Sequence, residues 1–423
     1  MKRIVSLLLS IMLVANVAFA RNFFEGRFFE VKANVPFGLS NDVFNLDELM
    51  VKDLVIDLAK INSEVPKDGL STIIRMNPNV STKLRIAGFS LGAKVGVDVY
   101  AKLGIGRGLF DLLGGGYNVG DTIDIAIVNP VVDTFAYVDA PIGLEFKKLF
   151  IGITPSAFLP VVIMKDSSTH GTVLNNSNGD IRVNLKNDMN FYTNSILGNA
   201  IKPMVDSIAN PALKNNGAAG NPFDGVTFGS ASKYLGFDIT ANVKYNFSKR
   251  SDLRVNARFP ILPAKMDSLL NVKNSYEMSG NVMDMATGKM PSQDPFVNDM
   301  HVITLDDVIK INRPLKLDAY FDYSLLGFLD FTAGGGFGIR RVGSKDQCFY
   351  PEYYASVGVN LFKMLKASIS TEYTDQIFMH SLNAVVNLRF VEIDAGVSLE
   401  SDDFKKSFKG AGVGAYVSAV IGF

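Results

Sequence analysis

Tryptophan is absent from this 423-residue chain, cysteine occurs once, at Cys348, and histidine three times, at His170, His301 and His380. A single cysteine excludes any intramolecular disulfide, so stability has to come from the packing of the chain itself. The histidines are far apart and none shows H-x-x-x-H spacing, so they do not read as a metal site. No G-x-S-x-G element is present. The sequence therefore predicts no catalytic residue, no metal and no cofactor, and the chain reads as a non-enzyme. Basic and acidic residues number 42 each, and without a basic excess nothing argues for nucleic acid.

Also missing, after the first twenty residues, is any run of about 18 apolar residues without charge, the length a spanning helix needs. Yet 48% of the residues are hydrophobic and the mean hydropathy is positive. Lys2 and Arg3, an apolar stretch from Ile4 to Val14, and Ala18-Phe19-Ala20 match the three parts of a cleavable secretory signal. This predicts a signal over 1–20 and, with no Pro/Ser-rich linker beyond it, one domain over 21–423. An exported, apolar-rich chain without a spanning helix fits a transmembrane β-barrel, in which apolar residues are spread over alternate strand positions.

That alternation is present. At the C-terminus Ala411, Val413, Ala415, Val417, Ala419, Ile421 and Phe423 share one phase, opposite small or mixed residues. The same period of two recurs at 315–325, 329–340, 353–361, 365–373, 378–390 and 391–400, and upstream at 235–247 and 251–259. A first strand is expected over 24–36, and hairpins over 81–91 with 93–105 and over 134–148 with 149–163. The expected fold is all-β, a transmembrane antiparallel up-and-down barrel of about 14 strands (range 12–16). Very short connections, such as those at Lys147–Leu149, Phe247–Ser251 and Leu326–Phe328, alternate with long segments near 106–133, 164–232 and 263–313. In outer-membrane barrels the short turns face the periplasm and the long loops the outside.

One stretch has helical spacing instead. In "NLDELMVKDLVIDLAKI", Asn45 to Ile61, Leu46, Met50, Leu54, Leu58 and Ile61 share a face. Further apolar residues widen that stripe, which suits a covered helix, either a plug in the lumen or a helix folded on an external loop. The polar phase of the strands carries charges of both signs, among them Asp238, Arg258, Lys316, Arg340 and Glu372. It reads as a cross-strand ion-pair network or as a selectivity lining without strong preference of sign. Gly334, Gly336 and Gly338 fall in that inner phase, as room for a ligand or as a bend. Phe150, Phe158, Phe362 and Val385 are apolar residues in the inner phase, and form the candidate ligand-binding lining.

The order "FFEVKANVPFGLSND", "LVIDLAKI", "KLRIAGFSLGAKVGVDVYAKL", "GRGLFDLLGGG" resembles the FadL-like outer-membrane barrels, the fatty-acid-transporter-like family of diderm bacteria. The resemblance is spread over most of the mature chain. It implies a barrel of about 14 strands with an N-terminal plug, residence in the cell outer membrane, and transport of hydrophobic molecules. In that family the plug precedes the first strand, whereas here the helical stretch follows one, so no binding residue is carried over. The expected function is a channel or transporter for small solutes, with hydrophobic ones such as fatty acids in view. The alternative is a structural or interaction barrel, such as an adhesin, a secretion partner or a surface platform. Expected partners are outer-membrane lipid, the barrel-assembly machinery through the C-terminal strand, and a hydrophobic small-molecule ligand. An open or apolar lumen would favour transport, and one filled by paired charges a platform.

Overall fold

The computed structural model describes residues 27–43, 58–67, 69–115, 118, 120–176, 180–209, 228–281, 296–342, 347–361 and 364–423. Among these residues, twenty antiparallel strand segments form one sheet. The sheet closes because Phe29–Asn41 pairs with Val413–Gly422 on one side and with Leu70–Met76 and Asn79–Ile86 on the other. Around this ring each strand is paired on both sides, while Phe296–Ile311 pairs, among the described residues, with Ala264–Asn281 alone.

The period-2 pattern sorts residues between two solvents. Along the last strand Val417 and Ile421 point outward, 56% and 64% exposed, while Ser418 and Val420 point inward and are buried. Val397, Leu382 and Ile369 are likewise exposed on neighbouring strands. The inner phase carries the charges. Apolar outside and polar inside reverses a soluble protein and matches a barrel in a bilayer. No described helix is long and apolar enough to cross a membrane, which says nothing of crossing by strands.

Sixteen of the twenty segments have ten or more residues, against the expected count of about 14. The excess comes from long strands in segments expected to be loops, Asp180–Thr193, Ala264–Asn281 and Phe296–Ile311, while three of the four shorter segments arise where a longer strand is interrupted. Asn77–Pro78 separates Leu70–Met76 from Asn79–Ile86, which pair with the same two neighbours. Ala140–Pro141 makes a similar break, and Pro263 ends Ser251–Leu262 before Ala264–Asn281, which pairs with other strands, since proline has no N–H to give to the ladder. The first strand runs Phe29–Asn41 rather than 24–36, and the early hairpin turns at Ala87–Gly88, both at positive φ.

On the rim that holds Phe29 and Phe423, six connections are of two or three residues, for example Ile86 to Phe89, Phe146 to Leu149 and Ser248 to Ser251. We call this the terminal rim and the opposite one the far rim. The segments near 106–133, 164–232 and 263–313 are not long loops. They contain the strands Thr122–Asp139, Ser168–Asn175, Asp180–Thr193, Ala264–Asn281 and Phe296–Ile311, and the helix Ser195–Ala209. In Ala264–Asn281 and Phe296–Ile311 the alternation is obscured by a register shift at Met266/Ser268, which moves the apolar residues to the other parity. The helix Ser195–Ala209 packs on the strands Ala264–Asn281 and Phe296–Ile311, with Asn194 accepting from the Leu197 N–H at its start.

The helical stretch 45–61 is described only from residue 58; the rest lies outside the described residues. Its last turn, Leu58–Glu64, sits at the far rim, where Val43, Val65 and Leu70 are buried together with Ile61, Ile105 and Phe110 packed against them. Arg107 donates to the carbonyls of Val65 (2.6 Å) and Asn62 (3.2 Å). Residues 106–115 thus buttress this turn, and among the described contacts the turn is a rim element rather than a lumen plug. The predicted signal, 1–20, is also outside the described residues.

Candidate functional site

The lumen contains three cavities of about 540, 420 and 630 Å³. The first and second share Tyr354 and Glu372 as lining residues. The second and third share Arg254, Asp322, Asp330, Thr332 and Lys366. The third reaches Lys249, Arg250 and Gly327 in the turns of the terminal rim. The cavities therefore lie in series, from the terminal rim into the barrel.

Alternate strand positions explain the wall. Arg254, Tyr320, Gly334, Tyr354 and Glu372 lie on one row, each the cross-strand partner of the next. Gly334 lets the Tyr320 ring lie against the wall, because a Cβ there would come within 2.5 Å of that ring; Gly338 does the same for Tyr350, at 2.2 Å. The inner glycines thus make room for tyrosine rings.

The charges are mostly paired. Arg254 meets Asp322 at 2.7 Å, Lys244 meets Asp252 at 3.5 Å and Lys366 meets Asp330 at 3.5 Å. Around the first cavity Lys316 binds Glu352 (2.7 Å), Arg340 binds Asp375 (2.5 Å) and lies 3.7 Å over the Tyr100 ring, and Arg75 binds Glu400 (3.1 Å). Tyr100 and Met379, which line this cavity, belong to a buried cluster with Ile73 and Ile377. Asp375 stands in the turn between two strands. Burial would raise its carboxyl, but Lys316 and Arg340 outweigh that and hold it below the ordinary carboxylate range. Two groups in the first cavity are less committed. Arg258 donates through Nε to the Pro314 carbonyl at 2.9 Å. Among the described residues Glu372 has neither an ion-pair nor a hydrogen-bond partner.

A separate buried core fills one side of the lumen: Phe135, Tyr137, Phe158, Ile163, Tyr192, Ala264, Met266 and Ile311. Arg313 lies against it, 4.6 Å over Tyr137 and 5.9 Å over Phe158, and donates to Ser156 Oγ (2.9 Å) and Asp238 (3.2 Å). Tyr137 donates its hydroxyl proton to Asn77 at 2.8 Å.

The four candidate lining residues do not converge. Phe158 is in this core, fully buried. Phe150 covers Gly143 and Gly152 near the terminal rim. Val385 lines the third cavity among charged groups. Phe362 lies outside the described residues. Arg313, Asp375, Glu352 and Arg75 were not anticipated. Arg313 occupies a break between strands and Asp375 a turn, positions an alternation pattern does not weigh.

No protein-family model and no curated protein match this chain. Solved structures do. The P. putida toluene transporter TodX is 8% identical, with 95% of this chain and 91% of that chain covered and a TM-score of 0.44. A Pseudomonas aeruginosa FadL homologue is 12% identical, with 96% and 93% covered and a TM-score of 0.41. The CymD monoaromatic hydrocarbon channel is 8% identical, with 95% and 90% covered and a TM-score of 0.41.

Proposed function

We propose that the chain is an outer-membrane channel or transporter for small solutes. The outward apolar phase suits the membrane. The observation that carries the transport reading is the series of three cavities joined at Tyr354 and Glu372. A barrel serving only as a platform would need no such series, although its many ion pairs fit one.

The lining indicates the solute class. Arg258, which donates to the Pro314 carbonyl, and Glu372 offer a cation and an anion without an ion-pair partner among the described residues in one cavity, a fit to small polar solutes that carry both charges. A fatty acid would need the filled core around Phe158 to open, because the cavities are lined by charged side chains interspersed with apolar ones. The test is uptake into proteoliposomes of a zwitterionic amino acid, a sugar of similar size and a labelled fatty acid. Preferred uptake of the zwitterion supports this reading. Preferred uptake of the fatty acid supports the hydrophobic-solute reading. No uptake by folded protein supports the platform.

A further inference from the structure

A groove of about 1,210 Å³, larger than any of the three lumenal cavities, lies on the outside of the barrel. Its side chains come from the outward phase of strands between Leu315–Leu325 and Val413–Gly422. Ala333, Ala355 and Thr371 are small residues of its wall, and Phe331, Tyr353, Ile369, Leu382 and Val397 are larger ones. Ile369, Leu382 and Val397 are exposed, so the medium around the groove is that of the apolar band.

The far-rim end is built differently. Between Val391–Ser401 and Val413–Gly422 the chain makes a short helix, Phe404–Ser407. Phe404 and Phe408 both line the groove, pack at 5.3 Å edge to face, and are 50% and 57% exposed. They continue a ladder of rings: Tyr353 with Tyr373 at 5.5 Å, Tyr373 with Phe378 at 4.5 Å, Phe378 with Phe404 at 5.2 Å. His380 stacks on Phe408 at 3.8 Å and pairs with Ser407 Oγ at 2.9 Å, which ties the helix to the wall. Asp403 accepts from the N–H groups of Lys405 and Lys406. Lys406 is committed to the carbonyls of Asp42 and Glu64. Lys405 and Lys409 are exposed, and their positions adjoin those of Phe404 and Phe408.

We propose that this groove and helix bind one anionic, phosphate-bearing lipid of the far-rim leaflet. Its acyl chain would lie along the outward groove under Phe404 and Phe408, and its phosphate against Lys405 and Lys409. Aromatic rings suit the level where hydrocarbon meets headgroup, and lysines at that level attract anionic lipid. A protein partner fits less well, because the groove runs along the band that hydrocarbon covers. The inference rests on the barrel spanning a membrane and is independent of transport.

Native mass spectrometry of the full chain from micelles doped with phosphatidylglycerol, lipid A or phosphatidylcholine tests it. Two lysines at a membrane surface should favour the phosphate-exposing anionic lipids over phosphatidylcholine by roughly 5- to 30-fold. Lys405→Glu with Lys409→Glu should abolish that preference while leaving heat-modifiable migration unchanged. Phe404→Ser with Phe408→Ser should reduce retention of all three lipids. An unchanged preference in the lysine variant overturns the proposal. So does displacement of bound lipid by inorganic phosphate alone, which would show that the lysines hold an ion without a groove-bound chain.

Discussion

Tyr354 and Glu372 are cross-strand partners on the inner face and are shared by two cavities that would otherwise be separate. A ring and a carboxylate without a partner among the described residues therefore set the junction of the lumen. Glu372→Gln keeps the shape and removes the charge. Reversal potentials in a salt gradient should move toward anion preference. An unmoved potential would place the ion path elsewhere.

Among the described residues Arg313 and Asp238 form the most enclosed ion pair of the lumen wall, 6% and 1% exposed in their side chains. Removing one partner strands the other in a buried site. Arg313→Met should cost about 3–5 kcal/mol in micelle unfolding. Asp238→Asn in the Arg313→Met background should recover part of that loss. A cost below about 1 kcal/mol, the usual value of exposed pairs, would show that water reaches the pair.

The same C-terminal strand separates lipid-facing from rim positions. Val417→Arg should cost about 2–4 kcal/mol if it sits near mid-bilayer, and Phe423→Arg about 0–1 kcal/mol at the interface. Folding titrations in lipid vesicles measure both. Equal costs would contradict the placement of Phe423 at the rim.

At the far rim Asp42 accepts from the Ser71 N–H at 2.9 Å. Burial pushes its carboxyl up to about 6, against the lowering effect of that hydrogen bond. A carboxyl with a raised folded-state pKa favours the folded rim when protonated. Its contribution is complete below the ordinary value of 3.8 and is lost as pH rises through about 6. Hydrogen exchange at Ser71, corrected for intrinsic rates, should show less protection at pH 7 than at pH 4. Asp42→Asn should flatten that difference. Equal protection in the wild type at both pH values would contradict the shift.

The barrel was legible in the sequence wherever one phase stayed apolar over a whole strand, as from Val413 to Ile421. It was obscured where a bulge changed the phase, as at Met266/Ser268, or where proline divided a strand, as at Pro78 and Pro141. The helix Ser195–Ala209 was missed, as Pro203 and Gly198 weaken its local signal. Within the site, Glu372 and Arg258 were recognisable as inner-phase charges. Their lack of carboxylate or cation partners was not, because pairing depends on which strands become neighbours around the ring. Phe158 was read as inward-facing, but whether it lined an open path or a filled core depended on Tyr192 and Met266, distant in sequence.

The central claim is that the three cavities form a path across the membrane, and single-channel conductance in a planar bilayer tests it most directly. The account predicts measurable conductance for the full chain, raised by Tyr354→Ala, which widens the shared junction. Folded, heat-modifiable protein with no conductance above bare lipid, and none gained in Tyr354→Ala, would contradict it.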